Sequence, residues 1–421
     1  MSKKEYLSKA ESPRLKYLLL AIIYLTFVSL GLPDSVFGAA WPQAYVDMGV
    51  AQSMGSLYSV VTGITSGGTS FIAGKLIRRF GTGSVTAVSV GLTVAGLIGI
   101  SFAPDFIVMM ICAVVMGIGA GAIDTGLNNY VSRNYKAGHM NWLHCFWGVG
   151  VTASPIIMSL FLRDGDWRRG YLTIGLIQLA IAVAVAACLP LWKKLAPPAL
   201  PEESAAKAPK KGFREIITTR GVIAGILSLG FYCSMEFIVG TWGASYLVNA
   251  GGNTPADASK FVSAFFGGIM FGRLVAGFAA FKLKDKSLIR IGTAAALPGM
   301  ILLALRAGTV TDVIGMLLIG VGFGPIFPSV IHSVPERFGA EYSADITGYH
   351  MGGAYAIAFA VQFAFGFVAT DTTFAIMPYV LLAFLAFMAV ACEIAVRLTA
   401  KPPVAESSCG AHEEDVASGK S

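Results

Sequence analysis

Apolar runs of about 20 residues, the length that crosses a bilayer as a helix, recur from one end of the chain to the other. They are separated by short breaks of charged and turn-forming residues. With boundaries soft by about four residues, the runs are Tyr17–Ala40, Leu57–Leu76, Val85–Phe102, Phe106–Asn128, Trp142–Leu162 and Tyr171–Leu189. After a longer polar break they resume as Val222–Val248, Phe261–Phe281, Leu288–Leu305, Val313–Val334, Thr347–Ala369 and Ile376–Val396. The pattern predicts an all-α integral membrane protein of twelve transmembrane helices. The longer break, 191–220, is rich in Pro, Ala and Lys and reads as a linker between two six-helix bundles, 17–190 and 221–397. The flanking segments, 1–16 and 398–421, read as polar tails, the second of them disordered.

The halves resemble one another in sequence, which points to a duplicated, pseudo-symmetric unit. The first helix carries Asp34, Gly38 and Trp41, and the seventh carries Glu236, Gly240 and Trp242 in the same order. The fourth helix has GIGAGAID from Gly117 and the tenth GVGFGPIF from Gly320. His144 and His350 sit near equivalent ends of the fifth and eleventh helices. The 49 glycines, spaced as in GITSGGTSFIAG, suit close helix–helix approach in a solvent where apolar packing alone gives little drive.

Composition adds the solvent. The chain is 55% hydrophobic and only 13% charged over 421 residues, with a mean hydropathy of +0.69, so most of its surface is matched to lipid. The first run is too long for a signal peptide and lacks a small-residue cleavage site, so it is expected to be retained. Of the 31 Lys and Arg, Arg163, Arg168, Arg169, Lys260 and Arg306 lie on one side of the membrane and Arg273 lies inside a helix. The others gather on the side of the termini, which predicts cytoplasmic N- and C-termini. The net charge of +7 is then the basic inner rim of a membrane protein and implies no nucleic-acid partner. Compact loops predict a multi-pass protein of a bacterial plasma (inner) membrane, and a monomer is expected. The six cysteines show neither a disulfide pattern nor metal-site spacing, and no cofactor is expected.

The candidate chemistry lies in the few ionisable groups at bilayer depth. A buried charge there costs at least ~2.5–3.5 kcal/mol, so it faces a wet cavity or is held neutral. Asp34, Asp124 and Glu236 are the acids concerned, each weighed against a permanent structural bond to a neighbour. Pro33 is expected to break the first helix locally and wet the region around Asp34. Across the short loop at Lys136, Asp124 and His144 differ in depth by about 6 Å, within reach of a proton-holding pair. His144 equally fits a helix-end histidine bonded to backbone. Asn128 and Asn129 continue the polar side of the fourth helix and suit solute hydroxyls. Trp147, Trp41 and Trp242 offer rings for the apolar face of a sugar, although Trp41 and Trp242, near helix ends, also fit interfacial anchors. Tyr232, Tyr355 and Gln362 are further candidates to line a cavity. Arg273 either partners a carboxylate or reaches the interface, and the second is expected.

Six plus six related helices around a basic linker resemble the major facilitator superfamily over Leu15 to Arg397. The 2–3 loop, Gly74-Lys-Leu-Ile-Arg78-Arg79-Phe-Gly81, fits that family's glycines and basic residues, with Arg78 where the family usually has aspartate. The Trp167-Arg168 pair before the sixth helix is a further likeness. Within the superfamily the chain is most similar to the fucose-permease-like branch of sugar symporters. The likeness rests on Asp34 after a glycine, Asp124 in DTGLNNY, and Asn141, His144, Phe146 and Gly148 in NWLHCFWGVG. It also rests on GFGPIFPS from Gly322. The resemblance implies a secondary transporter that moves a small hydrophilic solute, often a sugar or polyol, by proton or sodium symport, with Asn141 among the solute contacts. The alternative in the same class is proton-coupled export of drugs or metabolites, against which the Asn128–Asn129 pair argues mildly. No HExxH, GxSxG or paired catalytic aspartate motif points to an enzyme.

Overall fold

The computed structural model describes residues 13–135, 137–195, 213–338 and 343–399. Within them the chain forms twelve long helices and no strand. The first six are α1 (Pro13–Asp47), α2 (Gly55–Phe80), α3 (Thr82–Ser101), α4 (Phe106–Asn134), α5 (Ala137–Leu162) and α6 (Trp167–Ala187). The second six are α7 (Val222–Asn249), α8 (Pro255–Ala279), α9 (Asp285–Leu305), α10, α11 (Ser343–Asp371) and α12 (Met377–Leu398). Helix α10 runs as Thr309–Phe323 and continues in the short pieces Ile326–His332 and Val334–Phe338.

Eleven helices are apolar enough to span a bilayer on composition alone, and α2 is the one that is not. It is 26 residues long, but Thr62, Thr65, Thr69 and Ser70 interrupt its hydropathy. Each of those hydroxyls donates to a carbonyl on the preceding turn of α2, so the helix hides its own polarity from lipid. Helix α1 is a continuous helix through both Pro33 and Pro42, so the expected break at Pro33 does not occur. The surrounding helices account for this: α1 packs against α5, α6, α7 and α8, which hold the segment in helical form on both sides of the prolines.

The expected linker is also shorter than 191–220. Leu189–Leu195 and Phe213–Ile217 are helical, and Trp192 is buried against Gly83 and the ring of Tyr130. Residues 196–212, and most of both expected tails, lie outside the described residues.

Helices α1–α6 pack among themselves, as do α7–α12, and a small set of helices joins the halves: α5 with α8, α1 with α7 and α8, and α2 with α11. These joining contacts concentrate toward the end of the molecule away from the termini. Ser56 of α2 donates to the Phe363 carbonyl of α11 at 3.1 Å, and Ser259 of α8 donates to the Pro155 carbonyl of α5 at 2.8 Å. Gly63 of α2 meets the ring of Phe359 of α11. One turn on, a Cβ at Gly67 would meet open space, as it would at Gly352 and Gly348 on the face of α11 that carries Phe359. The two helices diverge there, and the halves part toward the terminal end.

Candidate functional site

Asp34 is the only exposed residue of α1 between positions 22 and 45, in a stretch where every neighbour from Ser29 to Pro42 is buried. A carboxylate that is accessible while the helix around it is enclosed borders a gap between helices, not the lipid. Its position is fixed by a close approach of α1 to α5, where Gly31 and Gly150 face each other with no room for a Cβ on either. One turn of α5 away, the Trp147 indole N–H donates to Asp34 Oδ2 at 2.8 Å. That bond uses Trp147's only donor.

The ring face of Trp147 is covered from the other half of the molecule. The Arg273 guanidinium of α8 lies 5.0 Å from the ring centroid, a cation–π distance. On its far side Arg273 faces Glu236 of α7, Nη2 to Oε1 at 3.9 Å, with side chains only 12% and 13% exposed. Four groups on four helices therefore form a continuous file: Asp34, Trp147, Arg273 and Glu236. The expectation that Arg273 reaches the interface is corrected here. Its helix neighbours Phe271, Leu274 and Val275 are the exposed ones, which turns Arg273 inward.

Asp124 is half-buried on α4, and its Oδ1 accepts from Asn128 Nδ2 at 2.8 Å. Asp34 is close enough to Asp124 and Glu236 for their charges to interact, and Tyr355 is similarly close to Asp124, Glu236 and Arg273. Tyr355 is half-buried and stacked on Phe237 at 6.0 Å. These residues therefore lie near one another. His144 makes no hydrogen bond or ion pair with Asp124 among the described residues. Its ring meets Phe27 of α1 edge-on at 5.8 Å, so a reachable difference in depth did not place the two side chains on one face.

Three of the other sequence candidates, Trp41, Trp242 and Gln362, lie elsewhere. Trp41 and Trp242 are fully buried at the closed end and anchor no interface; Trp41 donates to the Gln52 carbonyl at 2.8 Å, and Trp242 packs against Gly366. Gln362 is buried and donates to Thr241, tying α11 to α7. Tyr232, by contrast, is buried close to Glu236 and Arg273, with its hydroxyl donating to the Phe323 carbonyl at 3.2 Å. The side chains of Asn129 and Asn141, like that of Arg78, lie outside the described residues. The residue that sequence reasoning underweighted is Arg273. The signal was available, because the cost of a charge at bilayer depth applies to a cation as it does to Asp34.

Comparison with known proteins agrees with this architecture. A sequence model of the Major Facilitator Superfamily matches residues 23–363. A cis,cis-muconate transport protein of Acinetobacter baylyi is 25% identical over 313 residues, 70% of this chain and 72% of that protein. A glucose/mannose transporter of Bacillus subtilis is 22% identical over 275 residues, 63% of this chain and 67% of that protein. The match to the yeast bypass of stop codon protein 6, at 24% identity, spans 57% of that protein's length. Among solved structures, a D-xylose–proton symporter superposes with a TM-score of 0.72 at 14% identity, covering 91% of this chain and 98% of that one. A nucleoside transporter superposes with a TM-score of 0.68 at 15% identity, covering 90% and 98%. Two related six-helix halves meeting at one end, the charged file between them and the family match over most of the chain agree: this chain belongs to the Major Facilitator Superfamily, a family of transporters and not of enzymes.

Proposed function

We propose that the chain is a secondary active transporter that carries a small hydrophilic solute, a sugar or related polyol, across the plasma membrane by cation symport, with the proton as the coupling ion. The observation that supports it best is Asp34: a carboxylate midway along an enclosed helix, open to a gap between the halves, and bonded through Trp147 toward the opposite half. With both termini cytoplasmic, the open end faces inward and the contacts around Ser56, Gly63 and Ser259 form the closed outer gate. Alternating access then consists of rocking the halves so that those contacts open while the terminal ends close.

In this reading Asp34 is the principal coupling group. A carboxylate that takes up a proton no longer carries the desolvation cost of a charge when the gap closes around it, so protonation favours the occluded state. Asp124, His144 and Glu236 contribute to proton or solute handling, while Asn128, Trp147 and Tyr355 supply hydrogen bonds and a ring face. Kinship with a glucose/mannose transporter and a fold shared with a xylose–proton symporter support the solute class. The test is uptake into proteoliposomes under an imposed proton gradient, repeated with a sodium gradient. Accumulation driven by the proton gradient is expected. Accumulation driven by sodium alone would replace the coupling ion, and flux in response to neither would overturn the reading.

A further inference from the structure

Arg273 carries five N–H donors in a planar fork, and not one of them has a hydrogen-bond acceptor among the described residues. Its Nε is buried without a partner, and the contact with Glu236 at 3.9 Å is an ion pair too long to be a hydrogen bond. A satisfied arginine in the same molecule shows the contrast. Arg290 holds Glu393 with two bonds, 2.7 and 2.8 Å, at a far more exposed place. An arginine at bilayer depth is costly, and one left without acceptors is costlier still. The ring of Trp147 lies against the guanidinium, whose accessible donors are those of the Nη groups.

We propose that these donors are the docking point for a carboxylate of the transported solute, which makes the solute a polyhydroxylated monocarboxylic acid rather than a neutral sugar. The inference rests on the transporter reading above and narrows its substrate class. A carboxylate matches the fork with two parallel hydrogen bonds, which neither a hydroxyl nor a carbonyl does. Bound there, it meets Arg273 at closer range than Glu236 does and supplies the missing acceptors. The neighbouring side chains select the remainder of the molecule. Asp34, Asp124 and Asn128 accept or donate to hydroxyls, and Tyr355 adds a hydroxyl of its own. Arg273 is the one cation that the described residues place beside Asp34, Asp124 and Glu236, so a second carboxylate on the solute would meet only acids, and dicarboxylates are disfavoured.

The experiment compares matched pairs that differ only at the acid group, gluconate with glucitol and glucuronate with glucose, together with succinate as a dicarboxylate. Binding to the purified full-length chain is measured by calorimetry, and uptake is measured in proteoliposomes. The acid of each pair is expected to bind roughly tenfold or more tightly than its neutral partner, the difference that hydrogen bonds to a charged group produce. R273Q is expected to erase that preference and R273K to keep a reduced part of it. Equal binding of both members, unchanged acid binding in a folded R273Q protein, or preference for succinate would each overturn the inference. The wild-type comparison decides even where R273Q does not fold. Gradient-driven uptake of the neutral partners alone would overturn the inference and leave the transporter reading standing, whereas no gradient-driven uptake across the panel would overturn that reading.

Discussion

Gly38 of α1 lies against the carbonyl of Gly240 of α7, so close that a Cβ on Gly38 would land on that oxygen and on the backbone of Thr241. The two glycines hold corresponding places in the related motifs of the two halves, each four residues after an acid and just before a tryptophan. The internal repeat thus meets itself at a crossing at the end away from the termini. Backbone contact of this kind has no flexible side chain to yield, so any added atom must push the helices apart.

Gly38→Val is therefore expected to destabilise the closed outer end by about 1–3 kcal/mol, the usual cost of forcing extra methyl groups into a packed contact. Such an amount shifts a two-state equilibrium by roughly tenfold or more. Ser56, fully buried at that end, reports on it. In a cysteine-free background carrying Ser56→Cys, labelling by a membrane-impermeant maleimide from the outer side should rise when Gly38→Val is added. Unchanged labelling would show that the crossing does not hold the gate.

The opposite end yields a complementary expectation. Gly67, Gly348 and Gly352 face open space where α2 and α11 diverge, whereas Gly366 is enclosed by Ser56 and Trp242. Gly352→Cys should be tolerated and label readily from the side of the termini, and Gly366→Cys should be unreactive or unstable. Reversed reactivity would mean that the resting protein is open at the other end.

Asp34→Asn removes the titrating group but keeps an oxygen to accept from Trp147. Gradient-driven accumulation should be lost while solute exchange survives, and a variant that still concentrates solute in response to a proton gradient would dismiss Asp34 as the coupling group. Trp147→Phe keeps a ring beside Arg273 and removes the N–H bond at 2.8 Å to Asp34. Because the two residues share one interaction, the double variant should cost less than the sum of the single ones. Additive losses would show that the bond is incidental.

The fold was legible because lipid leaves little choice: an uncharged run of that length must bond its backbone internally, so counting runs counts helices. Rotation about each helix axis was not legible, since apolar residues surround these helices almost completely. Asp124 and His144 illustrate this. Their depths fall within reach of each other, yet one side chain bonds to Asn128 and the other packs on Phe27. Arg273 and Glu236 are 37 positions apart on neighbouring helices, and only the packing of α7 against α8 brings them together. Trp192 read as linker because its neighbours are Lys and Pro, and the pocket between Gly83 and Tyr130 that buries it comes from distant sequence.

The C-terminal end of α1 and the N-terminal end of α6 test which kind of bond holds the first half together. Asp47 accepts from the buried Trp167 indole at 2.9 Å and lies 3.5 Å from Arg168, whose guanidinium stacks on the same indole. The ion pair is about one-third exposed on both sides and is worth little in that setting. The indole N–H is another matter, because Trp167 is fully buried and Asp47→Ala leaves the donor without an acceptor, at a cost of about 1–3 kcal/mol. Asp47→Asn keeps an acceptor oxygen and loses only the charge. Thermal unfolding in one detergent should therefore rank wild type above Asp47→Asn, with Asp47→Ala well below both. If the Asn and Ala variants melt together, the charge on Arg168, and not the indole bond, fastens α6 to α1.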